Sequence, residues 1–200
     1  MKEVKEMKNI LIVVDMQNDF IDGVLGNEYT KTLIDPMIKL VSEFEGDIIF
    51  TRDTHFSGYG DTIEGKNIPL HCSLSTTGWR VNKALLDAAY NNTKARVREI
   101  NKGSFAHSDW IECLKNNDIE LYNVDGSNYQ YKDVYLVGTC TDICVVSNAL
   151  AIRSQMMNNP VKVIADLCSG TSKENHEAAL KVMKSCLIET VNYEDVKPTK

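Results

Sequence analysis

No apolar run in this chain approaches the ~20 residues needed to cross a bilayer, which excludes a spanning helix on length alone. The opening residues, Met1-Lys2-Glu3-Val4-Lys5-Glu6, mix charges and lack an apolar stretch, so no export signal is expected. Positive charge is in deficit. Lys and Arg number 22 against 28 Asp and Glu, a formal net charge of −6, whereas phosphate binding needs a basic face. Neither nucleic acid nor membrane is therefore expected as a partner. Internal repeats and low-complexity segments are also missing. The six cysteines are Cys72, Cys113, Cys140, Cys144, Cys168 and Cys186, of which only Cys140 and Cys144 are close in sequence. With no export signal ahead of them, they predict reduced thiols in a cytoplasmic protein rather than a disulfide framework.

What is present suits one domain, taken as residues 1–200 and long enough to bury a real core. Ile10-Leu11-Ile12-Val13-Val14 is a continuous apolar run, as in a strand covered on both faces. Asp35-Pro36 predicts a helix start, with Asp35 as N-cap and apolar residues at helical spacing up to Gly46. Further strands are predicted at 47–51, 95–100, 134–137, 161–165 and 187–191. Helices are predicted at 82–90, from a Ser108 cap to Lys115, at 142–157 and at 173–185. Residues 119–124 alternate, and Asp125-Gly126 predicts a hairpin turn. Residues 194–200 read as a frayed tail. Alternating strands and helices imply βαβ crossovers and a parallel α/β sheet. Residues 53–80 carry little periodicity, and so long a loop in a compact domain suggests function.

Reactive residues stand where these strands end. Asp15 follows the first strand, Asp53 and His55 the second, Lys102 the third, and Thr141-Asp142-Ile143-Cys144 the fourth. In an open parallel sheet the carboxyl ends of the strands form the ligand crevice, so these groups are expected to converge. Cys144 lies near a helix start, where backbone N–H groups and the positive dipole end favour a thiolate and a nearby Lys⁺ would lower the thiol pKa further. A buried, inert helical thiol is the other reading, and Cys140 competes as nucleophile. Asp15 is open to three roles: cap, surface residue or catalytic base with a raised pKa. Lys102 on its own reads as a solvated loop residue.

Asp53-x-His55 puts two ligand-type side chains on one face of an extended segment. His71 arrives from the far end of the loop, and Glu64 offers another oxygen. Carboxylate and imidazole suit Zn²⁺, Mn²⁺ or Fe²⁺ alike. Cys72 reads as a small buried hydrophobe.

Asp15-Met16-Gln17-Asn18-Asp19-Phe20 resembles the Asp-x-Gln-x-Asp-Phe opening of the isochorismatase-like cysteine hydrolases. Gly138-Thr139-Cys140-Thr141-Asp142-Ile143-Cys144-Val145 resembles their nucleophile turn, and Lys102 stands at their catalytic Lys. Asp53, His55 and Pro69-Leu70-His71-Cys72 match the metal motif of the nicotinamidase-related members, with Glu64 where some place a fourth ligand. The resemblance implies a three-layer αβα, Rossmann-like fold with a six-stranded parallel sheet. It implies a metal-dependent amidase with Cys144 as nucleophile, Asp15 as base and Lys102 as electrostatic partner. Also implied are a cis peptide at Thr139–Cys140, an oxyanion hole from the Cys140 and Cys144 backbone, and a homo-oligomer, dimer or tetramer. The divalent metal would be Zn²⁺, with Mn²⁺ or Fe²⁺ as alternatives.

Two departures bear on substrate. The aromatic Trp ahead of the family's Pro-x-His-Cys is Ile68 here, and the following segment is Ser75-Thr76-Thr77-Gly78-Trp79. The expected pocket is therefore Phe20, Ile68 and Trp79, with Phe20 or Trp79 as aromatic wall. Nicotinamide would place the enzyme in NAD salvage. Another small amide or carbamoyl compound is the alternative on the same scaffold. An enol-ether hydrolase and a thiol redox or metal-sensing protein built on Cys140 and Cys144 are further rivals.

Overall fold

The computed structural model describes residues 8–114, 131–156 and 158–196. Six strands form one parallel sheet: β1 (Lys8–Val14), β2 (Gly46–Asp53), β3 (Ala95–Lys102), β4 (Tyr131–Thr139), β5 (Val161–Ser169) and β6 (Glu189–Val191). Their order is β3-β2-β1-β4-β5-β6. The chain winds outward from β1 in one direction and from β4 in the other. The switch point thus lies between β1 and β4, where open α/β sheets bind ligands.

Helices cover both faces, and β1 shows why. Ile10, Ile12 and Val14 pack with Trp110, Ala149, Ile152 and Met183, from α5 (Trp110–Leu114), α6 (Val146–Gln155) and α7 (Lys173–Ser185). Leu11 and Val13 point the other way, onto Met37, Leu40, Leu85 and Ala89 of α3 (Ile34–Glu43) and α4 (Lys83–Tyr90). The period-two alternation of a strand therefore feeds two cores, and the unbroken apolar run follows from needing both. Two short helices, α1 (Asn18–Ile21) and α2 (Glu28–Thr32), precede α3.

The centre of the switch point requires glycine. Gly138 pairs in register with Val14 and has φ +123°; a Cβ there would lie 2.1 Å from the Val14 carbonyl oxygen. Only glycine lets β4 turn so close to β1.

Several boundaries differ from the sequence expectation. Helix α3 begins at Ile34 behind Leu33, so Asp35 sits inside the first turn and is not the N-cap. Asp109, not Ser108, caps α5, its Oδ1 accepting from the Glu112 backbone N–H at 3.0 Å. Helix α6 begins only at Val146, because residues Thr141–Val145 form a wider π-type turn. Strand β5 continues past Ala165 to Ser169. Strand β6 starts at Glu189, since Leu187 has φ 62° and is exposed. Tyr193–Val196 forms a last helix, α8, whose first N–H donates to Asp166 Oδ1 at 2.8 Å. The alternating stretch 119–124 and the Asp125-Gly126 turn lie outside the described residues.

Candidate active site

Four strand ends meet at one crevice. Lys102 closes β3 in register with Asp53 at the end of β2. Asp15 follows β1, and Cys140 opens the turn after β4. Asp15 turns the chain with φ 50°, a left-handed conformation that Asp tolerates better than most residues. A reciprocal contact with Thr51 holds it. The Asp15 N–H donates to Thr51 Oγ1 at 3.0 Å, and that hydroxyl donates to Asp15 Oδ1 at 2.6 Å. Thr51 is missed by reading the sequence, because a strand Thr carries no signal of its partner.

Lys102 is the electrostatic hub. Its Nζ lies 2.7 Å from Asp15 Oδ2, 3.4 Å from Asp53 Oδ1 and 3.6 Å from Cys144 Sγ, and it donates to the Ser104 carbonyl at 3.1 Å. Burial opposes its charge, but Asp15, Cys144 and Asp53 outweigh burial and hold its pKa above the ordinary value. It is therefore a fixed ammonium and not the solvated loop residue that its sequence setting suggests in isolation.

Cys144 is buried within the π-type turn. The expected depressed thiol is corrected here. Burial pushes its pKa well above the usual value, Asp15 raises it further, and Lys102 only partly offsets them. The resting group is thus a thiol, 3.6 Å from the Lys102 ammonium. Burial likewise raises the Asp15 pKa, against the pull of Lys102. Cys140 also lines the crevice, with its thiol pushed up to about 11 by burial. What separates the two thiols is contact: Lys102 Nζ donates to Cys144 Sγ at 3.6 Å, whereas Cys140 Sγ accepts from the neighbouring Thr139 hydroxyl at 3.3 Å. The Thr139–Cys140 peptide is cis, and the Cys140 carbonyl accepts from the Ile143 and Val145 N–H groups at 3.1 and 3.0 Å. All six cysteines are free.

A second cluster adjoins the first. One donor atom each from Asp53, His55, Glu64 and His71 lie within 4.8 Å of one another. Asp53 Oδ2 is 3.1 Å from His55 Nε2 and 3.2 Å from His71 Nε2; Glu64 Oε1 is 3.6 and 3.8 Å from the same nitrogens. Ligands about 2.1 Å from a shared ion sit about 3.0–3.4 Å apart, so the spacing around Asp53 fits one ion. The tautomer fits as well. His71 Nδ1 lies 2.8 Å from the Pro69 carbonyl, which can only accept, so Nδ1 carries the proton and Nε2 faces the cluster. Although burial opposes the Asp53 charge, His55, His71 and Lys102 keep its carboxyl well below the usual range.

The opening motif braces this cluster. Buried Gln17 accepts from the Asp53 N–H at 2.7 Å and donates to the Asp53 carbonyl at 2.9 Å and the Trp79 carbonyl at 2.7 Å. Asp19 Oδ2 accepts from the Cys72 N–H at 2.7 Å, next to His71. Cys72 is fully buried, as its sequence setting predicts.

A cavity of about 490 Å³ opens over both clusters, lined by Asp53, His71, Cys144, Cys140, Ile143 and Thr171 and walled by Phe20, Ile68 and Phe105. Trp79 is not part of its lining. Its indole N–H donates to Thr54 Oγ1 at 2.9 Å, and Arg52 sits 4.4 Å above its ring. Phe105, unforeseen from sequence, lines the cavity as a second aromatic beside Phe20.

The isochorismatase domain family matches residues 9–195. The nicotinamidase/pyrazinamidase of Mycobacterium tuberculosis is 29% identical over 198 residues, spanning 90% of this chain and 97% of that protein. The nicotinamidase of Schizosaccharomyces pombe is 24% identical over 216 residues, 92% of this chain and 93% of that one. The pyrazinamidase of Pyrococcus horikoshii, solved in complex with zinc, superposes with TM-score 0.71 at 25% identity, over 93% of this chain and 99% of that chain. A nicotinamidase/pyrazinamidase of Bacillus subtilis shares the fold, with TM-score 0.74 at 21% identity, over 93% and 100%. The chain belongs to the isochorismatase family, among its nicotinamidase-related cysteine hydrolases.

Proposed function

We propose that this chain hydrolyses a small carboxamide to the acid and ammonia, with nicotinamide as the leading substrate. The observation that carries this is one buried ammonium, Lys102, in contact with both the Asp15 carboxylate and the Cys144 sulfur. Asp15 takes the Cys144 proton, and Lys102 stabilises the anionic site as the thiolate forms. The sulfur attacks the amide carbon, and the Cys140 and Cys144 backbone N–H groups receive the oxyanion. Asp15 returns the proton to nitrogen, the C–N bond breaks and ammonia leaves. A water molecule deprotonated by Asp15 then cleaves the thioester. Dividing the reaction in this way replaces one hard step with two easier ones.

Asp53, His55, Glu64 and His71 would hold a divalent ion, Zn²⁺ first, with Mn²⁺ or Fe²⁺ compatible with the same donors. When bound, such an ion supplies a Lewis-acid contact for a substrate lone pair beside the reacting carbonyl.

Ile68 in the cavity wall favours a second reading, another small amide or a carbamoyl compound. Ammonia release from nicotinamide, measured beside Cys144→Ala, tests the first. Release that depends on Cys144 supports it. Release that survives Cys144→Ala refutes the mechanism, and no release from a folded, metal-loaded protein removes nicotinamide in favour of other amides.

A further inference from the structure

Asn148 is fully buried on α6, one helical turn beyond Cys144. Its Nδ2 donates to the Cys144 carbonyl at 2.8 Å and to the Phe105 carbonyl at 3.1 Å. Its Oδ1 accepts from the His107 backbone N–H at 2.9 Å and from the Trp110 indole N–H at 3.0 Å. A carboxamide has two N–H donors and two acceptor lone pairs, so Asn148 is saturated. All four partners lie either in the nucleophile turn or in the segment that follows β3. One side chain thereby fixes Phe105 relative to Cys144.

Phe105 is 40% exposed, yet it lines the cavity that holds Cys144. Its exposed surface at that mouth is an apolar face that an occupant would cover. Phe20, the other aromatic in the lining, is only 4% exposed and packs T-shaped against His71 at 5.3 Å between ring centroids, so little of its ring surface is left for an occupant to cover. The aliphatic Ile68 supplies no ring face. Phe105 is left as the ring whose surface is still available.

We propose that Phe105 is the specificity-determining residue of this site, covering the flat face of an aromatic carboxamide, and that Asn148 is the positioning residue that holds it in register with Cys144. The substrate class rests on the amidase reading given above. Aromatic contacts favour a ring-bearing amide over an aliphatic one by about tenfold beyond the area covered. The loop position of Phe105 means that its truncation leaves both cores intact.

The test is binding, which separates it from turnover. Metal-loaded Cys144→Ser protein is titrated calorimetrically with nicotinamide and with propionamide. Phe105→Ala is expected to weaken nicotinamide at least tenfold and propionamide less than twofold, with Phe105→Tyr restoring nicotinamide. Asn148→Ser is expected to weaken nicotinamide when Phe105 is present and to add less than twofold in the Phe105→Ala background. Equal weakening of both amides, an unchanged nicotinamide affinity, or no nicotinamide binding at millimolar concentration would overturn the proposal. A protein that binds nicotinamide through Phe105 yet, with Cys144 intact, releases no ammonia from it loses nicotinamide as substrate and keeps the aromatic wall.

Discussion

Lys102 Nζ lies 2.7 Å from Asp15 Oδ2, and neither side chain has any accessible surface. Two charges so placed are costly to desolvate, and their attraction offsets that cost only while both are present. The pair is thus a structural commitment as well as a chemical one. Asp15→Ala strips the buried ammonium of its nearest carboxylate and leaves it only Asp53 at 3.4 Å, and a stability loss of about 3–5 kcal/mol is expected in denaturant unfolding. Replacing both residues by apolar ones of similar volume should recover much of that stability and none of the activity. A single Asp15→Ala variant as stable as the parent would show that Lys102 can shed its proton or reach water.

The thiol state gives a second prediction. Burial and Asp15 raise the Cys144 pKa, so the thiolate fraction stays small at neutral pH and grows only above the ordinary thiol range. Iodoacetamide should therefore label exposed Cys186 faster than Cys144 at pH 7, and the Cys144 rate should climb steadily into alkaline pH. Peptide mass mapping reads both sites. Rapid Cys144 labelling already saturated at pH 6 would mean a preformed thiolate and no need for Asp15 as base.

Metal analysis of purified variants tests the ligand cluster. Asp53 and the two imidazoles are within 3.2 Å contacts, whereas Glu64 stands 3.6 and 3.8 Å away. His71→Ala should abolish stoichiometric zinc, and Glu64→Gln should weaken it by about tenfold, as changes around a metal's direct ligands commonly do. Unaltered zinc content in His71→Ala would remove that residue from the set.

Gln17 touches no reacting atom, yet it holds Asp53 at both backbone groups. Gln17→Leu orphans the Asp53 N–H and carbonyl and the part-buried Trp79 carbonyl, at a cost of about 2–4 kcal/mol, and should loosen the metal cluster. Thermal unfolding with and without zinc measures both. An unshifted zinc-induced stabilisation would confine Gln17 to the fold.

The sheet was legible because parallel strands covered on both faces must be apolar without interruption, as at Ile10–Val14. Strand β5 was half hidden: exposed Asp166, which caps α8, interrupts its apolar pattern. The strand ends betrayed the site, since Asp15, Asp53, Lys102 and Cys144 stand at or just past the ends of strands whose carboxyl ends must meet. The π-type turn left no mark, because its wider winding depends on packing and not on propensity. Trp79 was misplaced because its segment folds back along the opening motif, with Asn18 donating to the Arg80 carbonyl at 3.0 Å and the indole closing over Thr54. Phe105 gave no warning, for its place depends on Asn148, 43 positions away.

Trapping the acyl group on Cys144 tests the central claim most directly. Metal-loaded protein is incubated with nicotinamide and hydroxylamine, and the products are separated by mass. A thioester on Cys144 predicts the hydroxamate at the expense of the acid, formed by the parent and absent with Cys144→Ala. Ammonia and acid released with no hydroxamate at any hydroxylamine concentration, or hydroxamate formed equally by Cys144→Ala, would contradict the account.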